Sequence, residues 1–163
     1  MNFWGLICLA IPIGIVAALI MDVIGWIQKR VLGVPQLDYA FVGRWVMAMR
    51  EGRFCHQMIM QSPRQPFERP IGWVLHYLIG IAFVALMLGA TGPGWAERPT
   101  IWAPLITGLL SVAAPFLIMQ PAFGFGIAAS RTPMPWTARR RSLVAHLSFG
   151  IGIYLAGLGL SLT

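Results

Sequence analysis

Four polar side chains interrupt stretches of the sequence that are otherwise apolar. They are an aspartate, a glutamine and two histidines: Asp22, His76, Gln120 and His146. Ionisable groups inside long apolar segments are rare, and in membrane proteins they typically mark proton relays or binding sites. We therefore expect these residues to bind a small ligand or cofactor, or to handle protons. The alternative is an accessory or structural protein in which they only link helices, each hydrogen bond contributing about 0.6 kcal/mol.

The same residue types are compatible with a bound haem or metal ion. Two histidines on helices of one bundle could ligate a b-type haem, and Gly80 and Gly150, each one turn from its histidine, would leave room for the ring. Asp22 with His76 and His146 could instead form a metal site of two histidines and one carboxylate. A second set of soft metal ligands, of the kind that suits Cu(I), lies in one loop: Cys55, His56, Met58 and Met60.

Catalytic motifs of familiar kinds are missing from the sequence. It contains no Gly-x-Ser-x-Gly elbow, no phosphate-binding loop and no zinc-protease motif. Ser142 lies one turn before His146, but its position just ahead of an apolar stretch predicts a helix N-cap rather than a nucleophile. We name no catalytic residue, and the sequence favours a protein that is not an enzyme.

Composition determines which elements must position these residues. Of 163 residues, 58% are hydrophobic and 10% are charged, whereas about 25% are charged in a typical soluble domain. About 20 apolar residues in a helix cross a bilayer core. Four stretches meet this length and predict an all-α membrane protein with one membrane domain over residues 1–163: about 3–27, 71–90, 101–120 and 143–162.

The distribution of basic residues predicts how the chain lies in the membrane. Of 12 Lys and Arg residues, seven lie in the loop 28–70 and four in the loop 129–142, leaving only Arg98 elsewhere. The positive-inside rule puts both loops in the cytoplasm and both termini outside. The expected partners are the lipid bilayer and a second copy or a larger membrane complex, and no nucleic acid is expected.

The first loop contains a predicted surface helix. Apolar side chains recur with helical spacing from Phe41 to Met49, and Asp38 is in position to cap the helix. Cys8 is predicted in the outer half of the first span and Cys55 in the cytoplasmic loop, so we expect no disulfide.

Two short motifs occur twice and suggest a duplication of a helical hairpin. Leu-Ile-Met is followed by Asp22 in the first span and by Gln120 in the third, and His-x-x-x-Gly-Ile begins at His76 and at His146. Two related hairpins are a known plan of membrane proteins. Counted along the helices, the four polar residues fall in one layer near the cytoplasmic side.

Several longer motifs resemble a known family. They are Gly33-x-Pro35-x-Leu37-Asp38-Tyr39, Val42-Gly43-Arg44-Trp45, Glu68-Arg69 with Gly72-Trp73 and His76-Tyr77, Met119-Gln120-Pro121-Ala122, and Ala128 to Pro133 continuing to His146. Over essentially the whole chain they resemble small four-span bacterial inner-membrane proteins known as a domain of unknown function (DUF2938). The resemblance implies a bacterial inner membrane, with both termini then in the periplasm, and it implies no activity or cofactor. It adds Asp38, Arg44 and His56 as site candidates.

Overall fold

The computed structural model describes residues 3–92 and 94–162 and is all-α, with no strand among those residues. Four helical segments are long and apolar enough to cross a membrane, which confirms the predicted fold class. The α-helices are α1 Phe3–Leu32, α2 Ala40–Met49, α3 Glu68–Thr91, α4 Gly94–Glu97, α5 Trp102–Ser111, α6 Gln120–Ala122 and α7 Pro135–Ser161. Shorter segments are a π-helix, Ala114–Met119, and 3-10 turns at Ile59–Gln61 and Ile127–Ala129.

The helices extend beyond the apolar stretches at their basic ends. The first ends at Leu32 and the last begins at Pro135. A helix satisfies its own backbone hydrogen bonds, so it can continue where the apolar stretch ends. Gly33, in the left-handed conformation with φ +65°, ends α1. Ser142 therefore lies inside α7, and its predicted role as N-cap is wrong.

The third membrane segment is irregular in its second half. It begins with α5, passes into the π-helix and ends at α6. Pro115, the second residue of the π-helix, has no N–H to donate, so the regular α-helical bonding pattern is interrupted there. π-Helical turns are rare and are often found at functional positions.

The described chain divides into two compact units. Unit 1 consists of residues up to Gln36, Tyr77–Ser111 and Val144 onwards, and unit 2 of Leu37–His76 and Val112–Leu143. Each unit draws on both halves of the chain, so the units do not correspond to the two hairpins of the suggested duplication. That duplication and the single membrane domain stay predictions.

Unit 1 is an apolar helical bundle with close helix contacts. Its core includes Ile13, Val84, Leu88 and Ile153, all 0% exposed. Glycines allow the backbones to approach: a Cβ on Gly150 would lie 2.7 Å from the Pro104 carbonyl oxygen, and one on Gly108 would lie 2.5 Å from that of His146. Small residues at such contacts are typical of membrane helices, where packing replaces the hydrophobic effect.

The core of unit 2 is a small apolar cluster formed by Val42, Ile59, Ala122 and Phe123. The start of α3 crosses α2 backbone against backbone, since a Cβ on Gly43 would lie 1.8 Å from the Glu68 carbonyl oxygen. The helix predicted around Phe41 to Met49 is α2, and the Asp38 carboxylate accepts a hydrogen bond from the Ala40 N–H at 3.0 Å. Asp38 therefore bonds the first N–H of α2, although the N-cap position is held by Tyr39 and not by Asp38 as predicted.

Candidate functional site

Asp22 lies in α1 and pairs with a tyrosine of α3. The Tyr77 hydroxyl donates a hydrogen bond to Asp22 Oδ2 at 3.1 Å, and both side chains are half-buried. A short segment after α1 folds back along it, where the Gln36 side-chain amide donates to the Asp22 carbonyl oxygen at 3.2 Å. A carboxylate in an apolar helix needs a donor such as the Tyr77 hydroxyl, because an isolated charge is expensive in low dielectric.

His146 of α7 pairs with a serine at the end of α5. Its Nδ1 lies 2.7 Å from the Ser111 hydroxyl, which is fully buried. The Ser111 hydroxyl also lies 2.7 Å from the Gly108 carbonyl oxygen of its own helix, and the imidazole tautomer decides which group donates in the contact with His146.

Both pairs lie at one level of unit 1. A Cβ on Gly152 would lie 2.9 Å from Ala17 Cα, which aligns α1 with α7. Consecutive spans cross in opposite directions, so the two helices are antiparallel. At 1.5 Å per residue, Asp22 is about 7.5 Å beyond that contact and His146 about 9 Å beyond it, in the same direction.

The other two residues of the predicted layer belong to unit 2. The His76 ring stacks on Tyr39 with centroids 4.2 Å apart, and Trp73 packs edge-on against the same tyrosine. The Gln120 amide donates to the Ser142 hydroxyl at 3.3 Å. The predicted layer is thus divided between the two units, and a single site formed by all four residues stays a prediction.

Two partners in unit 1 were not predicted from the sequence. Tyr77 directly follows His76 in the sequence, and Ser111 is the one serine between Ile101 and Met119. A hydroxyl inside an apolar stretch was therefore a usable signal for Ser111. Tyr77 gave no such signal, because a tyrosine is common in membrane helices and only the rotation of α3 directs it toward α1.

The candidate Arg44 is buried in unit 2 and is hydrogen-bonded to two other segments of it. It is 5% exposed and forms two hydrogen bonds of 2.8 Å with the Glu68 carboxylate. Its remaining donors bond the carbonyl oxygens of Ile59 and Ser62 at 3.0 and 3.1 Å. Arginine suits this role because its planar group bonds a carboxylate and backbone oxygens at once. Arg44 thereby fixes the loop 59–62 to α2 and α3.

His56 lies in a loop that is hydrogen-bonded to the end of the third membrane segment. Its N–H donates to the Ala122 carbonyl oxygen at 2.8 Å, and its Nδ1 lies 2.9 Å from the Ser62 hydroxyl. Its Nε2 is buried and has no hydrogen-bond partner among the described residues. Burial and, to smaller extents, the charges of Arg53 and Arg44 lower the pKa of His56 below its usual value.

The described residues contain no group of three or more His, Cys, Asp or Glu side chains that could hold a metal ion. Both cysteines are exposed free thiols. The metal sets predicted around Asp22 and around Cys55 therefore stay predictions, and neither is part of the proposal below.

The room predicted beside Gly150 for a haem ring is filled. The backbone of Pro104 and Leu105 lies against this glycine. Gly80 faces Phe149, whose ring would be 3.4 Å from an added Cβ. Gly150 thus serves the close packing of α7 on α5, whereas a Cβ at Gly80 would make an ordinary van der Waals contact.

The surfaces of the four long helices define the class of protein. Large apolar side chains are widely exposed along them, including Leu78 at 54%, Leu86 at 69% and Leu110 at 65%. Such surfaces are characteristic of helices that face lipid. The fold is that of an integral membrane protein with four candidate membrane-spanning helices.

The chain belongs to the family described as protein of unknown function (DUF2938), whose model matches residues 11–159. The resemblance noted from the sequence motifs is thereby confirmed. No curated protein and no solved structure is detectably similar to the chain.

Proposed function

We propose that this chain is a bacterial inner-membrane protein that handles protons through Asp22 and His146. The observation that supports the proposal is the pairing of both ionisable groups, at one level of unit 1, with hydroxyls of neighbouring helices. Tyr77 donates to Asp22 at 3.1 Å, and Ser111 lies 2.7 Å from His146.

The chemistry of these groups suits proton exchange better than binding of a large cofactor. A carboxylate and a neutral imidazole each accept one proton, and hydroxyls can relay protons along hydrogen bonds of this length. The short contact between Ser111 and His146 joins the imidazole to a hydroxyl that also lies 2.7 Å from the Gly108 carbonyl oxygen. Close backbone packing at Gly108 and Gly150 leaves little space for a bulky group between α5 and α7.

Proton flux into liposomes tests the proposal. The full chain is reconstituted in vesicles that contain a pH-sensitive dye, and a potential is imposed with a potassium gradient and valinomycin. We expect flux above that of empty vesicles, reduced to the empty-vesicle level in Asp22→Asn and in His146→Gln.

Thr107→Val is the matched control. The Thr107 hydroxyl, like that of Ser111, donates to its own helix, to the Ala103 carbonyl oxygen at 2.8 Å. We expect this variant to retain the wild-type flux. If the folded wild-type protein conducts no more than empty vesicles, proton handling is wrong.

An accessory protein is the second candidate function. It is favoured by the same hydrogen bonds, because each joins two helices of unit 1 and is suited to holding them together. If the chain is an accessory protein, we expect no proton flux above that of empty vesicles. Asp22→Asn and His146→Gln would then change only the stability of the protein against unfolding in detergent.

A further inference from the structure

The segment 126–141 combines strong positive charge with exposed apolar side chains. It has no acidic residue and contains four arginines: Arg131, Arg139, Arg140 and Arg141. Ile127, Met134 and Trp136 are 62%, 64% and 74% exposed. The segment connects the third and fourth candidate spans, which end at Ala122 and begin at Pro135. Arginines beside exposed apolar and aromatic side chains are typical of the boundary between membrane and water.

A shallow cleft of about 270 Å³ lies in this segment. It is lined by Pro121, Gly126, Ile127, Ser130 and Arg131. Gly126 has φ +74°, and a Cβ there would lie 2.4 Å from Ser130 Oγ and 2.9 Å from Arg131 Cγ. Because Gly126 has no side chain, the Ser130 hydroxyl and the Arg131 side chain can both lie next to it at one edge of the cleft.

The backbone around the cleft is held by its own hydrogen bonds. Ala128 and Ala129 have the left-handed conformation, with φ +48° and +59°, which is unfavourable for residues other than glycine. Arg139 stabilises this turn, since its Nε donates to the Ala128 carbonyl oxygen at 2.8 Å. The N–H groups of Ser130 and Arg131 donate to the carbonyl oxygens of Ile127 and Phe125.

We propose that this cleft binds the phosphate of an anionic phospholipid headgroup. Ser130 and Arg131 are exposed at the cleft and offer a hydroxyl and a guanidinium, which together match a phosphate. Ile127, Met134 and Trp136 would lie at the membrane surface next to that headgroup. Basic pockets beside membrane helices are known to hold such headgroups. The proposal is independent of proton handling, since all its residues lie in unit 2.

Lipid binding to the purified full chain tests this site. Native mass spectrometry in detergent measures the affinity for phosphatidylglycerol and for zwitterionic phosphatidylcholine. We expect the wild type to retain one anionic lipid in preference, and the double variant Ser130→Ala with Arg131→Gln to bind it about tenfold more weakly, as loss of charge-assisted hydrogen bonds predicts. Gly126→Ala, which narrows the cleft, is expected to weaken binding as well.

Arg98→Gln is the control for net charge, because it removes one exposed arginine of unit 1. We expect it to retain the preference for anionic lipid. Equal weakening by Arg98→Gln would overturn the site in favour of general charge attraction, and so would a wild type without any preference. Inorganic phosphate that binds alone and displaces the lipid would show a site for free phosphate and would overturn the assignment to lipid. A cooperative unfolding transition in detergent, like that of the wild type, confirms that each variant is folded.

Discussion

At the scale of single residues, the described chain contains two kinds of ion pair with very different surroundings. Arg44 and Glu68 have side chains only 6% and 13% exposed, whereas Arg53 and Glu51 are 47% and 52% exposed. A buried charge that loses its partner is left uncompensated, but an exposed one is solvated by water. The two pairs therefore provide a matched comparison.

Glu68→Gln is expected to destabilise the protein strongly. Removal of one partner from a buried pair costs about 3–5 kcal/mol, because the remaining arginine stays buried without a counter-charge. Glu51→Gln should change stability by less than about 1 kcal/mol, as for other surface pairs. Unfolding of both variants in mixed detergent micelles measures the difference, and equal effects would contradict the structural role of Arg44.

His56 predicts a dependence of stability on pH. Its pKa is lowered in the folded protein, so below about pH 6.5 the unfolded chain binds more protons than the folded one. The stabilisation due to neutral His56 is complete above that pH and is lost as the pH falls toward the lowered pKa. Unfolding measured from about pH 7.5 to pH 5 should show a loss that is smaller in His56→Gln. An equal loss of stability in the wild type and in His56→Gln would show that another group causes the pH dependence.

At the scale of the elements, close contacts between helices depend on individual glycines. Gly150→Ala should destabilise the protein by about 1–3 kcal/mol, because overpacking forces the helices apart. The added Cβ would lie 2.7 Å from the Pro104 carbonyl oxygen. Gly159→Ala in the same helix is the control, since nothing lies within 4 Å of its added Cβ. Unfolding in detergent compares the two variants, and an undisturbed Gly150→Ala would contradict the packing of α5 on α7.

The third membrane segment changes from a regular helix to an irregular one along its length. Its π-helix begins three residues after Ser111, where the regular helix carrying this hydroxyl ends. Positive φ angles at Gly124 and Gly126 follow closely. A Cβ on Gly124 would lie 1.9 Å from the Gln57 carbonyl oxygen, so this turn can pack against the loop only with glycine.

At the scale of the whole molecule, the distribution of charge predicts an orientation that labelling can test. In a Cys8→Ala background, Cys55 is expected to react with a membrane-impermeant maleimide only when the cytoplasmic face is accessible. Cys55→Ala with Glu97→Cys, an exposed position in α4, should react in intact spheroplasts. Reversed labelling of the two positions would contradict periplasmic termini.

The four membrane segments could be predicted from the sequence because length and apolar composition are enough to identify them. The ends of the helices were less predictable, as the start of α7 at Pro135 illustrates. A helix beyond the membrane gives a weaker pattern, and the arginines there are as compatible with a loop as with a helix.

The candidate site was predictable only in part. Asp22 and His146 stood out because charged or titratable groups are conspicuous in apolar sequence. Their partners Tyr77 and Ser111 depend on the rotation and register of one helix against another, which side-chain packing and glycine contacts decide. The buried role of Arg44 likewise depends on the crossing of α2 and α3.

By itself, the sequence determined that the chain is an all-α membrane protein with four candidate membrane-spanning helices, and its motifs carried the family resemblance. These properties are local, since each follows from the composition of one segment and the solvent it requires. Only the tertiary structure decided which hydroxyl serves which ionisable group and that the predicted polar residues are shared between two units. Such pairings are made between segments distant in sequence, so no single segment contains the information that specifies them.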